Sequence, residues 1–261
     1  MSPRRIKNPD EVWGEWFSGN AFAVDKRLMK VFRTLPRDPR CKFCNAPFEG
    51  VGAGVVRVLF KKERSGLNPR FCNMCDVASR QFPGGSEVNM SMLFADVRGS
   101  TALSETMSPL AFSQLINRFY TAATKLIVQE DGLVEKLAGD AIAAFWGAGF
   151  AGPDFVRRTV QVAQRLSKLM AQQEIPVGIG VHSGVAYFGV VGTAEGLTDI
   201  TALGDEVNMA ARLASEARAG EVLFSEQALR AAGIEFGEME ARRLELKGIV
   251  EPVPVRVTRG S

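Results

Sequence analysis

Residues 90–105 read MSMLFADVRGSTALSE, and five of the first six are apolar. An apolar run of this length, bounded by a glycine turn, reads as a buried strand over 88–95. The strand ends on a carboxylate, Asp96, and so a buried element delivers an acid to the start of a turn. Gly99, Ser100 and Thr101 then offer free backbone N–H groups where a helix begins, a cradle suited to phosphate oxygens. Few folds place these features side by side.

Downstream the pattern continues legibly. PLAFSQLINRFYTAATKLIVQEDG (109–132) reads as an amphipathic helix ending at Gly132. LVEKLAGDAIAAFW (133–146) is two apolar runs around Ala138-Gly139-Asp140, a hairpin with a second carboxylate, Asp140, in its turn. Residues 153–173 form another helix. PVGIGVHSGVAYFGVVG (176–192) is expected to give two strands around Ser183-Gly184. Strand, helix, strand, strand, helix, strand is the ferredoxin-like α+β arrangement. In such a sheet the end of the first strand lies beside the hairpin tip, so Asp96 and Asp140 are expected to face each other. A strand-end Asp is most often a cap and a Gly-Asp pair most often only a turn. Together, beside a phosphate cradle, they favour one or two Mg²⁺ ions held against a nucleotide.

The first third of the chain differs in character. Residues 1–85 carry 16 Lys+Arg against 8 Asp+Glu, and residues 86–261 carry 16 against 21. The composition turns at FPGGSE (82–87), and the domain boundary is placed there, with 1–85 as one module and 86–261 as the other. A solvated basic face explains the positive charge more simply than nucleic-acid binding does. All four cysteines lie in this part, as Cys41 and Cys44 in CKFC and Cys72 and Cys75 in CNMC. In a reducing compartment two CxxC pairs suggest a metal rather than disulfides, with a structural Zn²⁺ preferred and an iron–sulfur cluster the alternative. Residues 11–35 have helical apolar spacing around a Gly-Asn break and are expected to pack on the knuckle or on a partner. The basic start MSPRRIKNPDEVW has no apolar core behind it, and no apolar run approaches the ~20 residues of a membrane span. A cytoplasmic location is expected.

FADVRGST, EKLAGDAIAAFWG, VGIGVHSGVAYFGVVG and ITALGDEVNMAARLAS together resemble successive motifs of the class III nucleotide cyclase catalytic domain. The resemblance covers roughly residues 88–258. It implies that Asp96 and Asp140, with the backbone carbonyl of Val97, hold two Mg²⁺ or Mn²⁺ ions per active site. Lys136 and Thr201 match the purine-reading positions; guanylate cyclases usually carry Glu and Cys there, so this pair implies ATP. Asn208 matches the ribose-orienting residue, and Arg212 the arginine that stabilises the transition state. Lys247, in LELKGIVEPVPV, matches a lysine contacting the terminal phosphates. The resemblance also implies a homodimer with two shared active sites, because the metal aspartates and the arginine come from different subunits.

Elementary chemistry agrees. Asn208 and Arg212 are four apart, on one face of a helix, and a guanidinium offers several donors at fixed geometry to a pentacovalent phosphate. His182 is the sole histidine and lies in an apolar strand, which marks it as structural and disfavours a Ser-His-Asp hydrolase. GDEV (204–207) resembles a diguanylate cyclase turn but leads into a helix without the paired-glycine start. The expected activity is an adenylate cyclase. Its rivals are a guanylate cyclase, a silent cyclase-like nucleotide-binding or dimerisation module, and a zinc-knuckle nucleic-acid binder with an appended cyclase.

Overall fold

A computed structural model describes residues 8–18, 23–35, 39–192, 198–249 and 251–260. The basic start of the chain and the Gly19-Asn20 break lie outside the described residues. The chain forms two compact units. One is built from the described residues up to Val88 together with Tyr187–Leu203, the other from Asn89–Ala186 and Gly204–Ser261. A boundary drawn along the sequence near residue 85 says nothing of the 187–203 hairpin, which groups with the N-terminal residues.

The N-terminal unit contains helices α1 (Pro9–Ser18), α2 (Ala23–Thr34), α3 (Gly50–Phe60) and α4 (Asn73–Gln81). Trp13, Phe17 and Phe32 are buried, which confirms the helical apolar spacing read in this region. Phe17 and Phe188 rings lie 4.6 Å apart inside the same unit.

The larger unit follows the ferredoxin-like order. Strand β1 (Gly84–Val97) leads through α5 (Ser100–Thr106) and α6 (Pro109–Gln129) to the hairpin β2 (Leu133–Ala138) and β3 (Ala141–Gly147). The short α7 (Ala148–Ala151), then α8 (Phe155–Gln172), lead to β4 (Val177–Gly192). After β5 (Thr198–Leu203) come α9 (Asp205–Glu216), β6 (Glu221–Ser225), α10 (Glu226–Ala231), β7 (Glu240–Leu244) and β8 (Val253–Arg259). The sheet order is β2-β3-β1-β4-β6-β8-β7, with β5 paired to β4. The β4-β1-β3-β2 part is the split βαβ arrangement expected from the sequence.

Local chemistry explains the elements. Ser108 caps α6 by accepting from the Ala111 N–H at 3.3 Å, and Pro109 occupies its first turn. The helix ends at Gln129, before Gly132, because Asp131 turns left-handed at φ 62°. β1 begins earlier than FPGG suggests, at Gly84. Gly85 lies against the β4 backbone, where a Cβ would stand 2.7 Å from Gly189 Cα.

One expectation is corrected. Residues 177–192 form one continuous strand rather than two strands around Ser183-Gly184. Ser183 donates its hydroxyl to Met90 O at 3.0 Å, and Gly184 is small because a Cβ there would meet the Glu206 carboxyl carbon at 2.6 Å. The glycine serves close approach, not a turn. Leu213 of helix α9 and Ala217, which caps its end, pack against Leu223, Val255 and Val257 of β6 and β8. Burial of each such Leu or Val contributes about 1.5–3 kcal/mol, which fixes the helix that carries Asn208 and Arg212.

Candidate active site

The two acidic residues meet at the ends of neighbouring strands. β1 and β3 pair antiparallel with Asp96 opposite Ala141, and the Val97 N–H donates to Asp140 O at 3.0 Å. Gly139, at φ 64°, makes the tight turn that puts Asp140 there. Tyr120 on α6 braces that turn, its hydroxyl donating to Gly139 O at 2.9 Å. Asp96 is paired with Arg98, whose guanidinium also donates to Ser215 O at 2.8 Å. Burial raises the Asp96 carboxyl, Arg98 lowers it, and nearby Asp140 raises it again; the net direction is upward. Two carboxylates carried at the ends of neighbouring strands form a hard-oxygen donor set suited to a divalent cation.

Gly99 takes the left-handed conformation, φ 67°, and opens α5 with no side chain capping the helix start. The N–H groups of Ser100 and Thr101 belong to that uncapped first turn. Of the purine-reading candidates, Lys136 is exposed on β2 and Thr201 is half-buried on β5. Thr201 belongs to the N-terminal unit and Lys136 to the larger one.

Asn208 is exposed and Arg212 half-buried, one turn apart on α9. The Arg212 guanidinium lies beside the exposed Lys247-Gly248 turn, 3.5 Å from where a Gly248 Cβ would stand. Asp96 with Asp140 thus forms one cluster, and Arg212 stands apart from it beside the turn that follows Lys247. Arg98 connects the first cluster to the last turn of α9 through Ser215.

His182 is buried and bridges sheet to helix. Its Nδ1 lies 2.7 Å from Ser225 Oγ, and its Nε2 contacts the Glu206 carboxylate in the first turn of α9. Burial lowers its proton affinity more than the Glu206 carboxylate raises it. The Glu206 carboxylate accepts from Nε2–H. The structural reading of His182 is consistent with these contacts.

A family model described as "Adenylate and Guanylate cyclase catalytic domain" matches residues 85–254. The chain belongs to the class III nucleotide cyclase family. Among relatives, an uncharacterized Mycobacterium tuberculosis protein is 32% identical over 186 residues, 67% of this chain and 34% of that protein. An adenylate cyclase of Anabaena cylindrica is 32% identical over 134 residues, 48% of this chain and 26% of that protein. The chain therefore spans about a third or less of the length of these relatives. The adenylyl cyclase CyaB of P. aeruginosa superposes with a TM-score of 0.56 at 25% identity, covering 68% of this chain and 97% of that one. The guanylyl cyclase Cya2 gives 0.58 at 24% identity, covering 67% and 93%. No helix among the described residues is long and apolar enough to cross a membrane.

Ahead of the cyclase catalytic domain, the four cysteines converge as the spacing predicts. All four Sγ atoms lie within 4.8 Å of one another, with Cys44 and Cys72 3.7 Å apart. The Asn45 N–H donates to Cys41 O at 3.0 Å and the Cys72 N–H to Cys41 Sγ at 3.2 Å, which folds the knuckle around the thiols. Thiol hydrogen bonds from Cys41, Cys44 and Cys75 hold Cys72 far below its ordinary pKa, and Lys62 adds to this. Burial lowers the Lys62 ammonium, but the surrounding cysteines, Cys44 first, outweigh it and raise it.

Arg98 and Glu206 of the cyclase domain were not singled out from the sequence. Arg98 stands two residues after Asp96, and that spacing within ADVRGST was the one local signal for it.

Proposed function

We propose that the chain is an adenylate cyclase, converting ATP to 3′,5′-cyclic AMP and pyrophosphate in shared sites of a cytoplasmic homodimer. The observation that carries this is the adjacency of Asp96 and Asp140 across the β1–β3 strand ends. Their oxygens, with Val97 O, are the hard donors that Mg²⁺ or Mn²⁺ takes, and class III cyclases use such ions. When bound, two such ions acidify the ribose 3′-hydroxyl and offset the charge of the phosphates. The Gly99–Thr101 turn presents N–H groups to phosphate oxygens, and Lys247 adds a cation. Asn208 orients the ribose so that its 3′-oxygen attacks the α-phosphorus in line as the bond to pyrophosphate breaks. Arg212 stabilises the charge that develops there, worth roughly 3–4 kcal/mol at comparable sites. Lys136 and Thr201 hydrogen-bond the adenine edge.

The cysteine centre is read as a structural zinc site. Four thiolates on one tetrahedral ion at Zn–S ~2.3 Å stand about 3.8 Å apart, close to the 3.7 Å between Cys44 and Cys72. A multi-iron cluster sets several bonds between its thiolates and would hold them further apart.

The test is turnover of ATP and of GTP by purified protein in Mg²⁺ and in Mn²⁺. Cyclic AMP formation that is lost in Asp96→Asn is expected. A preference for GTP would make the protein a guanylate cyclase. Nucleotide binding without turnover would make it a silent module.

A further inference from the structure

The N-terminal unit encloses a cavity of about 310 Å³ between α1, α2, α4 and the cysteine knuckle. Trp13, Met29, Phe32, Phe43, Met74 and Phe82 supply most of its described wall. Its volume is roughly twice that of the ~150 Å³ apolar cavity known to stay dry and take up benzene. It falls at the lower end of the ~300–1,000 Å³ range of small-molecule pockets.

The polar groups in the wall are already engaged. Ser79 donates to Asp76 O at 2.8 Å, and Trp13 Nε1 donates to Phe82 O at 2.9 Å. Lys62 faces the cysteine knuckle, with Nζ 3.9 Å from Cys72 Sγ. Cys44 and Cys75 also line the cavity, and the rest of its described wall is almost wholly apolar. A neutral, apolar molecule of two or three fused or linked rings, or a branched aliphatic of that bulk, suits the space. Met74 and Ala78 are exposed on α4 and give it a way in.

Ile200 of β5 also lines the cavity, one residue before Thr201. The knuckle grips this strand. Lys42, between Cys41 and Cys44, donates to Ile200 O at 2.7 Å and to the Asp199 carboxylate at 2.9 Å. Arg70 pairs with the same carboxylate at 2.5 Å, and Asn68 donates to Thr198 O at 2.7 Å. Three residues flanking the metal ligands therefore hold the strand that forms one wall of the cavity. We propose that the cavity is an effector site for a small neutral apolar molecule, and that β5 transmits its occupancy to Thr201. The second half rests on the assignment of Thr201 to base reading.

The experiment uses metal-loaded, full-length protein and N-phenyl-1-naphthylamine, a neutral three-ring dye that brightens in apolar surroundings. Saturable binding at one site is expected, with quenching of tryptophan emission. Ala78→Trp fills the mouth at an exposed position and should weaken binding about tenfold or more, some 1.4 kcal/mol. Val58→Trp, at an exposed position of α3, should leave it unchanged. A non-saturating signal, or equal affinity in Ala78→Trp, overturns the site. For transmission, bound dye should slow hydrogen exchange at the β5 amides and shift KM for ATP by about fivefold or more, with kcat held. Slowed exchange without a KM shift overturns the assignment of Thr201 but leaves the strand coupling. Unchanged exchange with dye bound overturns the coupling itself.

Discussion

The backbone of α9 rests directly on Gly180 of β4. A Cβ there would stand 2.2 Å from Ala214 N and 2.6 Å from Ala210 O. Ordinary contact begins near 3.4 Å, so Gly180→Ala forces a retreat of about 1.2 Å between strand and helix. Neither contact is a flexible side-chain end, so the helix itself must move. Such overpacking typically costs about 1–3 kcal/mol, a fraction of the ~5–15 kcal/mol of a domain, and the variant should fold. Its chemistry should not survive as well, because α9 carries Asn208 and Arg212. A misplacement of ~1 Å can cost on the order of a hundredfold in rate. The assay pairs kcat for ATP with denaturant unfolding monitored by circular dichroism. A stable, folded Gly180→Ala with kcat within about threefold of the parent would refute the claim that α9 sets the reacting geometry.

Three further outcomes are expected. Lys136→Glu combined with Thr201→Cys should lower ATP turnover and raise relative GTP use, since a mismatched base leaves polar groups unpaired; an unchanged ATP/GTP ratio counts against both assignments. Purified protein should carry about one zinc per chain by elemental analysis, lost on Cys41→Ser with Cys44→Ser, whereas brown protein absorbing in the visible would indicate iron–sulfur instead. Glu221 is held at a pKa of about 2, chiefly by hydrogen bonds from Arg242, against an ordinary 4.5. A depressed carboxylate stabilises the fold above its unfolded pKa and loses that contribution as pH falls from about 4.5 to about 2. The contribution is about 3 kcal/mol at most, so Glu221→Gln should unfold more readily at pH 7 yet show a flatter acid limb. Parallel acid limbs would contradict it.

Features encoded locally were legible in the sequence. The apolar run ending at Asp96, the Gly139 turn and the two CxxC pairs each carry their signal within a few residues, and the structure places each as read. Features whose partner lies far along the chain were not. Gly184 looks like a turn residue because glycine gives the same local signal for a turn and for close approach. Its partner, Glu206, lies beyond the whole β4–β5 hairpin. Arg98 bonds Ser215, and Lys42 bonds Asp199, across similarly long stretches. No periodicity reports such pairs, so the grouping of the 187–203 hairpin with the cysteine module emerged only from the fold.

The central claim is one reaction centre built from two chains, with Asp96 and Asp140 from one subunit and Arg212 from the other. Asp96→Asn and Arg212→Ala, each nearly inactive alone, should be mixed equally under conditions of proven subunit exchange. About half of the dimers are then mixed, and each holds one site with both lesions and one with neither. Cyclic AMP formation should recover to roughly a quarter of wild type. A mixture as inactive as its parents would contradict the shared site.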